Sequence, residues 1–422
     1  MRLAYVIINA NRHEGTSRAI LEVAERLALR HQVDLWARTY EAWDRDRLAA
    51  NRNEMGCLNW RRVPGPGRPE IADYLTFKSL ADCVLKSRRY DIIHSAGPNT
   101  VYADVYTIQT VHPIKVEQTL AARKRTAAGS LRRLSWRLYD SAVIRAEKKS
   151  YTSIGHRGPR AFLPVSVGTK SELISTYPGV THLDESNGKS AGCDWFDNVR
   201  VIPNGADLEV FSPQQRGPFR SEIRDRCGFA ADDFVVVFSG GDWRRKGLEL
   251  LIWAIERLAD PKVRLLVIGD DRNGKDIRDL VQRRDLSPIV KFAGFQKEVQ
   301  RYYAAGDLFV FPTLYEAFSL ATIEAAASGL PVIMSDASGA VDLLGDGDCG
   351  AILPRDPIAI ADKINEYRRD PELLARHGRN ARAKVERDFS WDGIANKTLE
   401  VYEQLIEYRQ FLAARGTVAK ES

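Results

Sequence analysis

Short runs of β-branched and aromatic residues alternate along the whole chain with longer stretches whose apolar residues recur every three or four positions. The first kind of run fits a buried strand and the second an amphipathic helix, so the alternation predicts βαβ units and parallel sheets. Strands are predicted in the first half at Leu3–Asn9, Val33–Ala37, Tyr90–His94, Asp104–Thr110, Ala161–Ser166 and Val199–Ile202. In the second half they fall at Phe234–Ser239, Val263–Ile268, Ile289–Phe292, Leu308–Phe311, Pro331–Met334 and Ala351–Leu353. Equal numbers on the two sides predict two doubly wound lobes of similar size. The helix after the first strand shows the pattern well. Ile20, Val23, Ala24, Leu27 and His31 share one face, and Glu22, Glu25, Arg26 and Arg30 fill the other.

The lobes are expected to meet near Pro203-Asn204-Gly205, because Pro ends a ladder and Asn-Gly accepts a turn. This divides the chain into residues 1–204, 205–390 and a C-terminal helix in 391–422. The polar segment Gln214–Arg220 reads as a linker, and residues 181–198 as an inserted surface loop. The tail repeats Ile394, Leu399, Tyr402, Leu405 and Tyr408 at near-helical spacing, and is expected to cross back onto the first lobe.

A chain of 422 residues with 44% apolar and 28% charged residues fits a two-lobed globular enzyme. No run approaches the roughly 18 apolar residues of a membrane span, and the N-terminus reads as a first strand, not a signal peptide. Five scattered cysteines with no C-x-x-C predict neither a disulfide framework nor a zinc site, and fit a reducing cytoplasm. The net charge of +6 is set by one segment. Residues 123–149 carry nine Lys and Arg against Asp140 and Glu147, which leaves the rest of the chain near neutral.

Two stretches carry candidate chemistry. In Asp307–Met334 a buried strand ends at Phe311, a loop follows from Pro312, and a helix begins near Ser319 and stops at Gly329. Ligands of open parallel sheets bind at the carboxyl ends of strands, and the free N–H groups of a helix that begins there suit a diphosphate. Glu316 lies in this loop and Glu324 about one turn into the helix. They fit hydroxyl recognition or stabilisation of positive charge at a reacting carbon, and on spacing alone equally fit solvated surface acids. In Ser239–Ile252 a strand ends in Gly-Gly and a helix starts after Lys246-Gly247. Arg245 and Lys246 at that junction can hold a diphosphate as it leaves.

The pattern E-x7-E between a Pro-Thr loop and EA-x-A-x-G-x-P-V-I resembles the retaining glycosyltransferases of family 4, which have the GT-B fold. VIPNGADLEVFSP (Val201–Pro213) resembles that family's interlobe segment, and VKFAGFQKEVQRYYAAGDLFVFPT (Val290–Thr313) its run-up to the carboxylate loop. EGTSR (Glu14–Arg18) stands where the family has a glycine loop. The resemblance is strong in the C-terminal half and thin in the N-terminal half. It implies two Rossmann-like domains facing across a cleft, the acceptor in the first and the donor in the second. It also implies a nucleotide sugar as co-substrate, most simply a UDP- or GDP-sugar, no resident cofactor and no metal.

By the same resemblance Glu324 takes the donor ribose and Glu316 faces the donor sugar. The N–H groups of Phe318, Ser319 and Leu320 approach sugar or phosphate, and Gly15 approaches phosphate. His112, which follows a strand end in YTIQTVHPIK, reaches the donor sugar. The family's glycine is replaced by Ser319, which is strained if that position needs positive φ. Its usual arginine is replaced by Gly241, with Arg245 as the candidate substitute in a G-x-D-x-x-R-K-G variant that resembles lipopolysaccharide-core glucosyltransferases. The two acids and the Arg-Lys pair are therefore expected to converge on one pocket.

The expected function is transfer of a hexose-type sugar, with retention, to a glycan, a lipid-linked or a small-molecule acceptor. An epimerase-like use of the nucleotide sugar, or a catalytically silent partner subunit, are the alternatives. Asp44-Arg45-Asp46 and Asp346-Gly347-Asp348 are read as turns or polar loops, not metal sites. Residues 123–149 read as helical, with Leu131, Leu134, Trp136, Leu138, Val143 and Ile144 among the cations. Such a segment fits an anionic membrane surface, an anionic acceptor or a solvated helix face, and lacks the aromatic platform of a nucleic-acid binder. The expected location is the cytoplasm, with peripheral attachment to the inner face of the membrane if the first of these holds.

Overall fold

In the computed structural model, which describes residues 1–12, 14–41, 56–124, 130–152, 159–181, 196–337, 339 and 341–421, the apolar runs pair as parallel strands. The first group is β1 (Arg2–Val6), β2 (Asn9–Ala10), β3 (Gln32–Ala37), β4 (Thr39–Tyr40), β5 (Cys57–Arg62), β6 (Ile92–Ala96), β7 (Val105–Ile108) and β8 (Ala161–Pro164). Six of these form one sheet in the order β5-β3-β1-β6-β7-β8, while β2 and β4 make a separate two-stranded ladder. The second group is β9 (Phe234–Ser239), β10 (Val263–Ile268), β11 (Val290–Gly294), β12 (Leu308–Phe311), β13 (Val332–Ser335) and β14 (Gly350–Leu353), in the order β11-β10-β9-β12-β13-β14.

Counted along the chain, both sheets follow the doubly wound order 3-2-1-4-5-6, so the order reverses between β1 and β6 and again between β9 and β12. Helices follow the strands as βαβ units require. The strands beside each reversal are apolar on both faces. Val235, Val236, Val237 and Phe238 of β9 are fully buried, as are Leu308 through Phe311 of β12.

The chain divides into two compact units. One comprises residues 1–117, 126–204 and 391–422, the other 118–125 and 205–390. The tail helix Trp391–Glu421 packs in the first unit, against the helix Gly15–Leu27. Its Tyr402 hydroxyl lies 2.6 Å from Tyr5 Oη and 2.5 Å from His94 Nδ1, and His94 Nε2 meets Thr107 Oγ1 at 2.6 Å. Burial pushes the His94 imidazole down to about 3, so it stays neutral inside this network.

Three expectations are corrected. Val199–Ile202 makes only an isolated bridge, Val199 to Phe162, and the sixth strand of the first sheet is β5 instead. CLNWRR carries no apolar alternation because it is an edge strand paired only with β3, with Asn59 to Arg62 exposed. Gln214–Arg220 is no linker, since Pro213–Gln215 is a short 3-10 turn and the helix Arg216–Cys227 follows it directly. Arg216 donates to the Gly306 carbonyl at 3.0 Å, and Arg220 and Arg224 pair with Asp307 at 2.5 and 2.7 Å, which ties this helix into the second sheet. Glu22 and Glu25 are buried and not on a solvated face. Arg12 reaches both, at 3.2 and 2.5 Å, and Arg26 bridges Glu22 to Asp392 of the tail helix. Of the expected loop 181–198, residues 182–195 lie outside the described residues, as do Asp44-Arg45-Asp46 and Cys193.

Candidate active site

The site forms where the second sheet reverses its order. β9 ends at Ser239 and its continuation makes a tight turn, in which Lys246 N–H donates to the Asp242 carbonyl at 3.0 Å. Gly247 follows with φ +78° and opens the helix Leu248–Leu258. A Cβ at Gly247 would lie 2.1 Å from the Pro312 carbonyl oxygen, so only glycine lets this turn touch the loop leaving β12. Leu314 N–H then donates to the Arg245 carbonyl at 2.7 Å, and Arg245 Nη1 donates to the Tyr315 carbonyl at 2.7 Å. Two loops about seventy residues apart in the chain are thereby held against each other.

The charged groups converge as expected. Arg245 Nη1 stands 3.7 Å from Glu316 Oε2, and its Nε donates to Asp242 at 2.7 Å. Lys246 Nζ lies 5.1 Å from the ring centre of Phe311, the last residue of β12. Loss of hydration pushes the Lys246 ammonium below its ordinary range, against the opposing pull of Glu316 and the weaker pulls of Asp242 and Glu324. Lys246, Glu316 and the buried Glu324 therefore share one electrostatic neighbourhood.

The helix after the second loop spans Leu320–Ala327, one residue shorter at each end than predicted. Ser319 is its N-cap, with φ −93°, and its hydroxyl accepts from Thr322 N–H at 3.2 Å. The position does not need positive φ, so serine is unstrained there and caps the helix better than glycine would. The first internal bond of the helix runs from Ile323 N–H to the Ser319 carbonyl at 3.2 Å. The N–H groups of Ser319 and Leu320 are among those that no carbonyl of the helix accepts, at an end where an anion is favoured, and Phe318 precedes them. At Gly241 a Cβ would lie 2.9 Å from the Asp270 carbonyl oxygen, so a side chain there fits only if the backbone shifts.

Three supports were invisible in the sequence. Gly339 N–H donates to the Glu316 carbonyl at 2.9 Å, Arg355 Nε donates to the Pro312 carbonyl at 3.1 Å, and Ser335 Oγ donates to the Thr313 carbonyl at 2.5 Å. Each comes from a later element and carries no spacing signal. Asp242, inside the G-x-D-x-x-R-K-G pattern, was the one partner the motif could have named.

The remaining two expected residues lie in the first unit. His112 begins the helix His112–Lys124 and is buried. Its Nε2 meets Asp140 Oδ1 at 2.9 Å, and its backbone N–H donates to both Glu147 oxygens at 3.2 Å. Burial pushes the Glu147 carboxyl up to about 8, with Tyr177 and His112 as its hydrogen-bond donors. Gly15 is the exposed first residue of its helix, after β1 and β2. Asp346-Gly347-Asp348 is a turn in which Asp346 accepts from Asp348 N–H at 3.2 Å and pairs with Lys384 at 2.6 Å. Among the described residues no group of His, Cys, Asp or Glu is placed to hold a metal ion.

Family models agree with this geometry. The model described as Glycosyl transferases group 1 matches residues 219–384, and the model Glycosyltransferase Family 4 matches residues 13–182. The chain belongs to the group 1, family 4 glycosyltransferases. A D-inositol 3-phosphate glycosyltransferase of Streptomyces bingchenggensis is 30% identical over 233 residues, covering 52% of this chain and 50% of that protein. The chain spans between 50% and 63% of the length of the first curated relatives it matches. Among solved structures, a glycosyltransferase involved in lipopolysaccharide biosynthesis superposes with a TM-score of 0.73 at 18% identity, covering 95% of this chain and 99% of that one. An Anabaena protein in complex with UDP and glucose gives a TM-score of 0.64 at 20% identity, covering 96% and 99%. At these identities the likeness is one of fold, and that fold is GT-B.

Proposed function

We propose that the chain is a retaining glycosyltransferase that moves a hexose from a nucleotide sugar to an acceptor hydroxyl. The observation that carries this reading is the shared neighbourhood of Arg245, Lys246, Glu316 and Glu324 at the order reversal of the second sheet. The bond between the anomeric carbon and the diphosphate oxygen breaks, and its electron pair leaves with the nucleoside diphosphate. Arg245, Lys246 and the N–H groups of Phe318, Ser319 and Leu320 are suited to receive that charge. The acceptor oxygen forms the new bond, and its proton passes to the released diphosphate or to water. Glu316 stabilises the positive charge that develops on the sugar, and Glu324 recognises the ribose.

His112 and Gly15 keep the roles the resemblance implies, toward the sugar hydroxyls and the phosphate. The Anabaena complex with UDP and glucose favours a UDP-sugar as first donor to try, with a GDP-sugar as second. For the basic segment, Leu134 and Leu138 are exposed beside the exposed Arg133 and Arg137 on the helix Ser130–Thr152, which favours peripheral contact with an anionic membrane. No helix among the described residues is long and apolar enough to cross one.

The test is donor turnover with UDP- and GDP-sugars, followed by nucleotide release. Glu316→Ala and Lys246→Ala are each expected to lower kcat by roughly a hundredfold or more while nucleotide still raises Tm. Epimerised free nucleotide sugar, or tight nucleotide binding with no turnover in the unaltered chain, refutes transfer.

A further inference from the structure

The turn that carries Arg245 and Lys246 contains a residue in an uncommon conformation. Asp242 has φ +51°, in the left-handed region where glycine is the relaxed choice. The turn is anchored by the next residue, Trp243, which is fully buried. Its backbone N–H donates to the Asp271 carboxylate at 2.9 Å and its indole N–H to the Gly240 carbonyl at 3.1 Å. Its ring packs against Phe292 with centres 5.2 Å apart. The Asp242 side chain, by contrast, is 57% exposed and takes no part in that anchor.

What the carboxylate does is hold Arg245. It accepts from Nε at 2.7 Å, while the Tyr315 carbonyl accepts from Nη1 at 2.7 Å. A guanidinium is planar, so two fixed N–H groups fix the whole plane. In this pose Nη1 stays 3.7 Å from Glu316 Oε2, beyond hydrogen-bond reach. An arginine free to turn closes on such a carboxylate as a bidentate pair. Closure would take from Glu316 the charge that faces the sugar, and from the diphosphate its cation. An ion pair as exposed as Asp242–Arg245 adds little to stability, so stability does not account for a carboxylate on a left-handed residue.

We infer that Asp242 is a positioning residue, which keeps the Arg245 guanidinium out of a closed pair with Glu316 and open to the diphosphate. The Nη2 N–H groups of Arg245 meet no acceptor among the described residues and are the ones left for that anion. The use made of Arg245 rests on the transfer reading above, while the hold on its guanidinium rests on the geometry alone. Asp242 touches no reacting atom and acts through Arg245.

Two substitutions separate the carboxylate from the backbone. Asp242→Gly removes the acceptor and relaxes the turn, and Asp242→Asn keeps an oxygen acceptor on a side chain that tolerates positive φ. In donor turnover Asp242→Gly is expected to lower kcat roughly tenfold, by more than it raises KM, with no fall in Tm. Asp242→Asn is expected to recover most of that loss, and Asp242→Gly to change kcat no further in an Arg245→Ala background. Full activity in Asp242→Gly, a loss confined to KM, an equal loss in the Arg245→Ala background, or no recovery in Asp242→Asn overturns the inference. The guanidinium also gives a readout that needs no donor. Its Nε–H NMR signal, assigned by its loss in Arg245→Lys, is expected to resist solvent exchange in the unaltered chain and in Asp242→Asn and to broaden in Asp242→Gly. Equal behaviour in all three overturns the hold. If the signal behaves as expected but no nucleotide sugar is turned over, the transfer reading fails and the hold on Arg245 stands. If donor is turned over and the Asp242 series is flat, this inference alone fails.

Discussion

The two sheets share one strand order and present different chemistry at the place where that order reverses. In the second unit, Arg245 stands beside Glu316, and the Ser319 hydroxyl caps the helix that follows by accepting from Thr322 N–H. In the first unit, Glu14 and Glu70 stand at the starts of two helices that have no side-chain cap, and Arg12 and Arg38 are bound to Glu22, Glu25 and Asp73. The shared order supplies a crevice in both. A hydroxyl at the N-cap satisfies one helix N–H in the second unit, whereas the glutamate at the N-cap of the helix Gly15–Leu27 makes no capping bond and leaves its N–H groups uncovered.

Three changes probe that contrast. The largest effect is expected from Gly247→Ala in the second unit. The new methyl would meet the Pro312 carbonyl and require positive φ, so the loops must part, at a cost of about 2–4 kcal/mol in stability together with loss of donor turnover. An unchanged Tm would show that the two loops are not in contact through that glycine.

The second change titrates the first unit. An unfolded His94 takes up a proton below its ordinary pKa, near 6.5, whereas the folded one resists until about 3. Stability from this group is thus present above about pH 6.5 and lost as pH falls toward 3, with about 2 kcal/mol gone by roughly pH 5. His94→Gln removes the titration, so its Tm should fall less between pH 7 and 5 than that of the unaltered chain. Parallel curves would show that His94 is hydrated.

The smallest effect comes from Ser319. Ser319→Ala is expected to cost about 1 kcal/mol and Ser319→Gly only a few tenths. Comparable losses from both would mean that the hydroxyl does not cap the helix.

The two units were also unequally legible. In the second, every strand was predicted within about two residues, because Phe234–Ser239 and its neighbours are continuous apolar runs buried on both faces. In the first, Cys57–Arg62 escaped because an edge strand with exposed side chains carries no such run. The burial of Glu22 and Glu25 escaped because the tail helix that covers that face lies some 370 residues further on. The donor-side residues were found because they sit in two short local motifs. The supports Gly339, Arg355 and Ser335 escaped because each comes from a different later element and no spacing links them.

Apolar periodicity and turn chemistry are local, so the sequence alone determined two doubly wound units, the Arg-Lys turn and the acidic loop beside a helix start. Only the tertiary structure decided that Ser319 is relaxed, that Gly247 lets two loops meet and that the helix Gly15–Leu27 starts without a side-chain cap. Those outcomes depend on backbone angles and on approaches between residues far apart in the chain. Residue spacing encodes neither.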